Sequence, residues 1–78
     1  MKVIKYSMEN CSACRRLGKV IKLAELPIEE VDIDLETART LKISSVPTII
    51  KYDDNGKEVG RLMGIVSINR LKEFCDVQ

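Results

Sequence analysis

Two cysteines three residues apart, Cys11-Ser-Ala-Cys14, stand where a β-prone run gives way to a helical one, and that junction limits the folds open to this chain. Lys2–Tyr6, Lys-Val-Ile-Lys-Tyr, reads as a strand. From Ser12 to Ala24 the apolar residues Ala13, Leu17, Val20, Ile21 and Ala24 fall at helical spacing and paint one face. The helix ends ahead of Pro27, because a proline disfavours helical backbone in the residue before it.

Downstream, Ile28–Ile33 sets Ile28, Val31 and Ile33 among acids and reads as a second strand. Asp34 is placed to N-cap a short helix, Leu35–Lys42, with Leu35, Ala38 and Leu41 facing inward. Val46–Tyr52 is a strong strand, Asp53–Gly56 carries the Asn-Gly hairpin signal, and Glu58–Met63 returns antiparallel. Ser67 caps a last helix with apolar positions Ile68, Leu71, Phe74 and Cys75. The order is β-α-β-α-β-β-α. A right-handed crossover makes the first two strands parallel, and the hairpin adds an antiparallel edge. The expected fold is α/β, a sandwich with a four-stranded mixed sheet flanked by helices, in one domain over residues 1–78.

Composition removes several functions. Lys and Arg number 13 against 12 Asp and Glu, a balance that gives no electrostatic reason to expect nucleic acid or a membrane surface as partner. One Phe, two Tyr and no Trp leave few platforms for stacked bases. The absence of His removes Cys–His nucleophilic pairs, Ser-His-Asp triads and mixed Cys/His zinc sites. Three cysteines cannot complete a four-thiolate zinc site within one chain, so no metal is expected. The N-terminal apolar run is too short for a signal-peptide core, and nothing later approaches a membrane span. A cytoplasmic location is expected, where free thiols persist.

The chemistry then rests on the dithiol. Residues three apart on a helix are neighbours, so the two sulfurs reach disulfide geometry with little backbone movement. A helix start offers unpaired N–H groups and a positive dipole end, which favour a thiolate on Cys11. Arg15 and Arg16 add positive charge nearby. Cys14, one turn inside, is expected to be more buried and less acidic. Cys11 is therefore the nucleophile and Cys14 the resolving thiol. Half of a zinc site and a passive surface pair are the competing readings of the motif. Placement beside a βαβ pattern favours the redox reading.

Here the sequence resembles the thioredoxin/glutaredoxin superfamily over essentially its whole length. Besides Cys11-Ser-Ala-Cys14, Val31-Asp-Ile-Asp34 is similar to the family's second strand, Ile43-Ser-Ser-Val-Pro-Thr48 to its cis-proline segment and Asn55-Gly-Lys57 to its hairpin turn. Gly64 matches the glycine after the last strand, and Ser67 through Asp76 resembles the C-terminal helix. The resemblance implies a cis Val46–Pro47 peptide beside the disulfide, with the Val46 backbone pairing with substrate and Pro47 and Gly64 bordering the groove. The size resembles glutaredoxin, but Gly60 and Gly64 are separated and Ile65-Val-Ser67 follows, so the glutathione-binding Gly-Gly and acid are missing. A minimal thioredoxin-like protein is the better match.

The departures are informative. Asn10 stands where the family has Trp, and Ser12-Ala13 replaces Gly-Pro between the cysteines, leaving the reduction potential open. The family's buried acid aligns with Lys5 and its second-strand lysine with Glu30, an inverted pair. Lys5 and Glu30 are expected either to meet beneath the disulfide, Glu30 accepting a proton from Cys14, or to snorkel separately to water. Cys75 is expected in the core. Met63 is read either as lining the substrate groove or as a strand-end core residue. Glu29, Glu30, Asp32, Asp34 and Glu36 are read as a solvated edge.

Together these readings give a monomeric protein-disulfide reductase with no cofactor beyond the Cys11–Cys14 couple. Its expected partners are disulfide-containing proteins and a thioredoxin-reductase-like electron donor. The alternatives are a glutathione-linked glutaredoxin-like protein and a non-catalytic redoxin-fold binding or metal module.

Overall fold

The structure, a computed structural model, describes residues 1–76. Strand β1 (Lys2–Ser7) lies inside the sheet, paired in parallel with β2 (Ile28–Asp32) and antiparallel with β3 (Thr48–Tyr52). Strand β4 (Glu58–Met63) pairs antiparallel with β3 and completes the order β2-β1-β3-β4. Helix α1 (Ser12–Leu23) makes the crossover from β1 to β2, α2 (Leu35–Thr40) leads toward β3, and α3 (Ile68–Phe74) follows the hairpin.

Successive strand residues point to opposite faces, and the two central strands use this to build two cores. On one face Val3 and Ile49 pack with Leu17 and Ile21 of α1, Leu26, and Leu71 of α3. On the other, Tyr6 and Ile50 pack with Ala38 of α2 and Ile43. The Tyr6 and Tyr52 hydroxyls meet at 2.7 Å, and burial first, then that bond, pushes the Tyr6 phenol well above its ordinary range.

Each helix is capped by the side chain before it. The Cys14 N–H is met by Cys11, Thr37 N–H by Asp34, and Arg70 N–H by Ser67. Arg61 of β4 ties down the far end of α2, donating to the Leu41 and Lys42 carbonyls at 3.1 Å each. Glu58 holds that guanidinium through two bonds, of 2.6 and 2.7 Å, and its own carboxyl is held below the usual carboxylate range by them.

The structure corrects several details. Leu35 is 70% exposed rather than inward-facing, and Ile68 is 39% exposed. Both are the first residue after an N-cap, at the rim of the sandwich, so Ala38 and Leu71 one turn later carry the burial. Met63, at 59% exposure, is no core residue. Strand β3 begins at Thr48 rather than Val46, since Pro47 has no N–H for the ladder. The hairpin is longer than an Asn-Gly turn. Asp53 accepts from the Asn55 and Lys57 N–H groups at 2.9 Å each, and Gly56 adopts φ +81°.

Leu17, 1% exposed between α1 and the sheet, is the apolar anchor of the site-bearing helix. Leu17→Ala is expected to cost about 2–5 kcal/mol in urea-unfolding free energy, the range for a cavity in a packed core.

Candidate active site

Strand β1 ends at Ser7 and α1 begins at Ser12, so the chain must reverse within four residues. Asn10 makes the turn at φ +64°, a left-handed conformation that Asn tolerates better than most residues. It delivers Cys11 to the N-cap in extended conformation, φ −101° and ψ 103°. The Cys14 N–H then points at Cys11 Sγ, 3.1 Å away. Cys11 and Cys14 are joined as a disulfide, with Cα atoms 5.2 Å apart. Cys11 stays partly exposed, whereas Cys14 is 3% exposed. Arg15 and Arg16 are exposed in the first turn, and no acidic side chain shares that turn. When the disulfide is reduced, the outer sulfur faces a helix N-terminus, oriented to favour its thiolate. The inner sulfur is shielded.

The loop before β3 closes the other side. The Val46–Pro47 peptide is cis, and the Val46 carbonyl oxygen lies 3.9 Å from Cys11 Sγ. Gly64, at φ +78°, donates its N–H to the Pro47 carbonyl at 2.8 Å and holds the loop against the end of β4. The resemblance places a substrate groove at Val46, but nothing in the sequence indicates the cleft beside it on the α2 side. It has a volume of about 250 Å³ and is lined by Met8, Leu35, Ala38, Arg39, Ile43 and Val46, among others. Leu35, expected to face inward, is the residue whose apolar character signals this cleft once its exposure is known.

Lys5 and Glu30 do meet. They lie opposite each other in the parallel register of β1 and β2, and Lys5 Nζ donates to Glu30 Oε1 at 2.7 Å. Only Glu30 reaches water, with its side chain 54% exposed against 1% for Lys5. The group that touches the Cys14 residue is Lys5, whose Nζ donates to the Cys14 carbonyl at 2.6 Å. Glu30 sits farther out and also accepts from Ser7 Oγ at 3.3 Å. Ser7 and Gly18 were not singled out from sequence. Ser7 is two residues beyond Lys5 on the same strand face, and Gly18 is one helical turn beyond Cys14, so periodicity alone identifies both. Among the described residues no group of three or more His, Cys, Asp or Glu side chains gathers to hold a metal ion.

Residues 2–77 match the model of the thioredoxin-like domain family. The chain belongs to the thioredoxin-like family. It is 30% identical over 66 residues to the SPbeta prophage-derived thioredoxin-like protein YosR of Bacillus subtilis, a match covering 82% of each chain. It is 36% identical over 70 residues to the thioredoxin of Chlamydia pneumoniae, covering 81% of this chain and 68% of that one. Reduced Schistosoma mansoni thioredoxin superposes with a TM-score of 0.74 at 30% identity, covering 95% of this chain and 74% of that structure. A thioredoxin-like fold with two cysteines at disulfide distance supports thiol–disulfide oxidoreduction in general.

The third thiol of this thioredoxin-like protein stands apart. Cys75 follows α3, partly buried against the first core. Burial pushes its thiol up, nearby Asp76 adds to this, and Lys51 only partly opposes it. In the reduced protein at pH 7, mass spectrometry after brief iodoacetamide treatment should find Cys75 labelled about tenfold more slowly than Cys11, or slower still, since the thiolate is the reacting form. Equal labelling would contradict this assignment.

Proposed function

We propose that the protein reduces disulfides in other proteins by dithiol exchange through Cys11 and Cys14. The observation that carries this reading is Cys11 at the N-cap with the Cys14 N–H aimed at its sulfur from 3.1 Å. A donor already in place stabilises a thiolate without reorganisation, and the exposed sulfur is the one a substrate disulfide can reach.

In the first step the Cys11 thiolate attacks one substrate sulfur. The substrate S–S bond breaks, an S–S bond to Cys11 forms, and the released substrate thiolate takes a proton from water. Cys14 then gives up its proton and attacks Cys11 Sγ. The mixed disulfide breaks, the Cys11–Cys14 bond forms, and the second substrate thiolate is protonated in turn. Two electrons and two protons have passed to the substrate. An external thioredoxin-reductase-like donor restores the dithiol in the cytoplasm.

The backbone at Val46, beside the Cys11 sulfur, is where an extended substrate segment pairs in this reading, bounded by Pro47 and Gly64. The cleft with Met8, Leu35, Ala38 and Ile43 accepts an apolar side chain of that segment. The redox centre itself consists of side chains of this chain.

Insulin reduction by dithiothreitol, followed by turbidity, tests this directly. Wild type should accelerate it, and Cys11→Ser should reduce the rate to that of dithiothreitol alone. Cys14→Ser should accumulate a mixed disulfide with substrate through Cys11. A wild type without effect overturns the reading.

A further inference from the structure

Lys5 is a cation placed where a small core seldom holds one. Its side chain is 1% exposed, and Nζ makes bonds of 2.6 Å to the Cys14 carbonyl and 2.7 Å to Glu30. The space it fills exists because residue 18 is glycine. A Cβ there would lie 3.0 Å from Lys5 Nζ. A cavity of about 270 Å³, lined by Gly18, Ile21, Lys22, Glu25, Glu30 and others, adjoins the ammonium. The ionisable groups around this region are Cys14 from α1, with Cys11 at the helix N-cap, Lys5 from β1 and Glu30 from β2, with Lys22 and Glu25 at the rim. From β3 and α3 the core receives Ile49 and Leu71.

Charge is therefore ordered outward from the inner cysteine, cation first and carboxylate second. The ammonium is held at the Cys14 backbone, on the residue that carries the inner thiol. A buried positive charge there favours the ionised sulfur, while a carboxylate beyond it works in the opposite direction with less effect at the greater distance. We propose that the Lys5 ammonium, seated in the gap at Gly18 and balanced by Glu30, is a positioning residue that sustains Cys14 as the thiolate needed to resolve the mixed disulfide. This deepens the dithiol-exchange reading and rests on it. The Cys14 proton leaves to water, the sulfur anion attacks Cys11 Sγ, and the substrate sulfur departs with the electron pair of the broken bond. Glu30 serves as charge balance, the opposite of a role as the proton acceptor.

The test follows the Cys14 ¹³Cβ chemical shift of the reduced protein against pH, which reads this thiol apart from Cys11 and Cys75. In Lys5→Met, which keeps the length of the stem, the Cys14 midpoint should rise by about one unit, a tenfold loss of acidity. In Glu30→Gln, which keeps an acceptor but removes the charge, it should fall by about half a unit. Opposite shifts support the proposal. A midpoint that is unmoved or lowered in Lys5→Met overturns it, because a purely structural lysine changes stability and not this titration. If Lys5→Met does not fold, Glu30→Gln decides alone, and an unmoved or raised midpoint overturns the proposal. No substrate enters the titration, so an inactive wild type in the insulin assay defeats the functional reading without touching this result.

Discussion

The Cys14 N–H that points at the Cys11 sulfur is held there by everything around it. Its direction is the axis of α1, and α1 is fixed by Leu17 and Ile21 sinking between the sheet and α3. The start of α1 is fixed in turn by β1, which is hydrogen-bonded on both sides by β2 and β3 and so has little freedom to shift. Burying an apolar helix face therefore also aims the Cys14 N–H, at the positive end of the helix, at one sulfur. The redox site is a consequence of the packing of this single helix.

The same strand carries a second constraint. Lys5 and Ser7 occupy the face of β1 that meets α1, where Val3 is apolar, so the core under the active site contains polar groups. A buried charge is tolerated only when matched. Glu30 supplies the match from the neighbouring strand, and the Cys14 carbonyl supplies another acceptor from the helix. This arrangement links stability and the dithiol, because the ion pair sits between α1 and β2 and bonds the backbone of Cys14. Gly18 belongs to the same unit, since a side chain there would press on the ammonium.

Much of this was legible in the residues. Element order followed from the helical spacing after Ser12, the strand-like runs and the turn at Gly56, and Glu58–Met63 was recovered with its boundaries. The caps at Asp34 and Ser67 were readable because their side chains bond only three residues away. Cys11 and Cys14 were readable because their spacing and position on a helix start carry the chemistry. Leu35 was misread because apolar periodicity does not tell an inward residue from one on the lip of a cleft. The Arg61 clamp on Leu41 and Lys42 joins elements twenty residues apart, and no local pattern announces it. Lys5 and Glu30 were paired by resemblance, but which of them faces Cys14 depends on strand register and helix placement, which only coordinates supply.

The most direct test of the central claim is the rate of iodoacetamide reaction at Cys11 in the reduced protein, measured as a function of pH. An N-cap sulfur facing helix N–H groups should show its half-maximal rate at least about one unit below the ~8.5 of a free cysteine thiol. A midpoint at or above that ordinary value would mean that the start of α1 does not stabilise the thiolate, and the proposed chemistry at Cys11 would lose its physical basis.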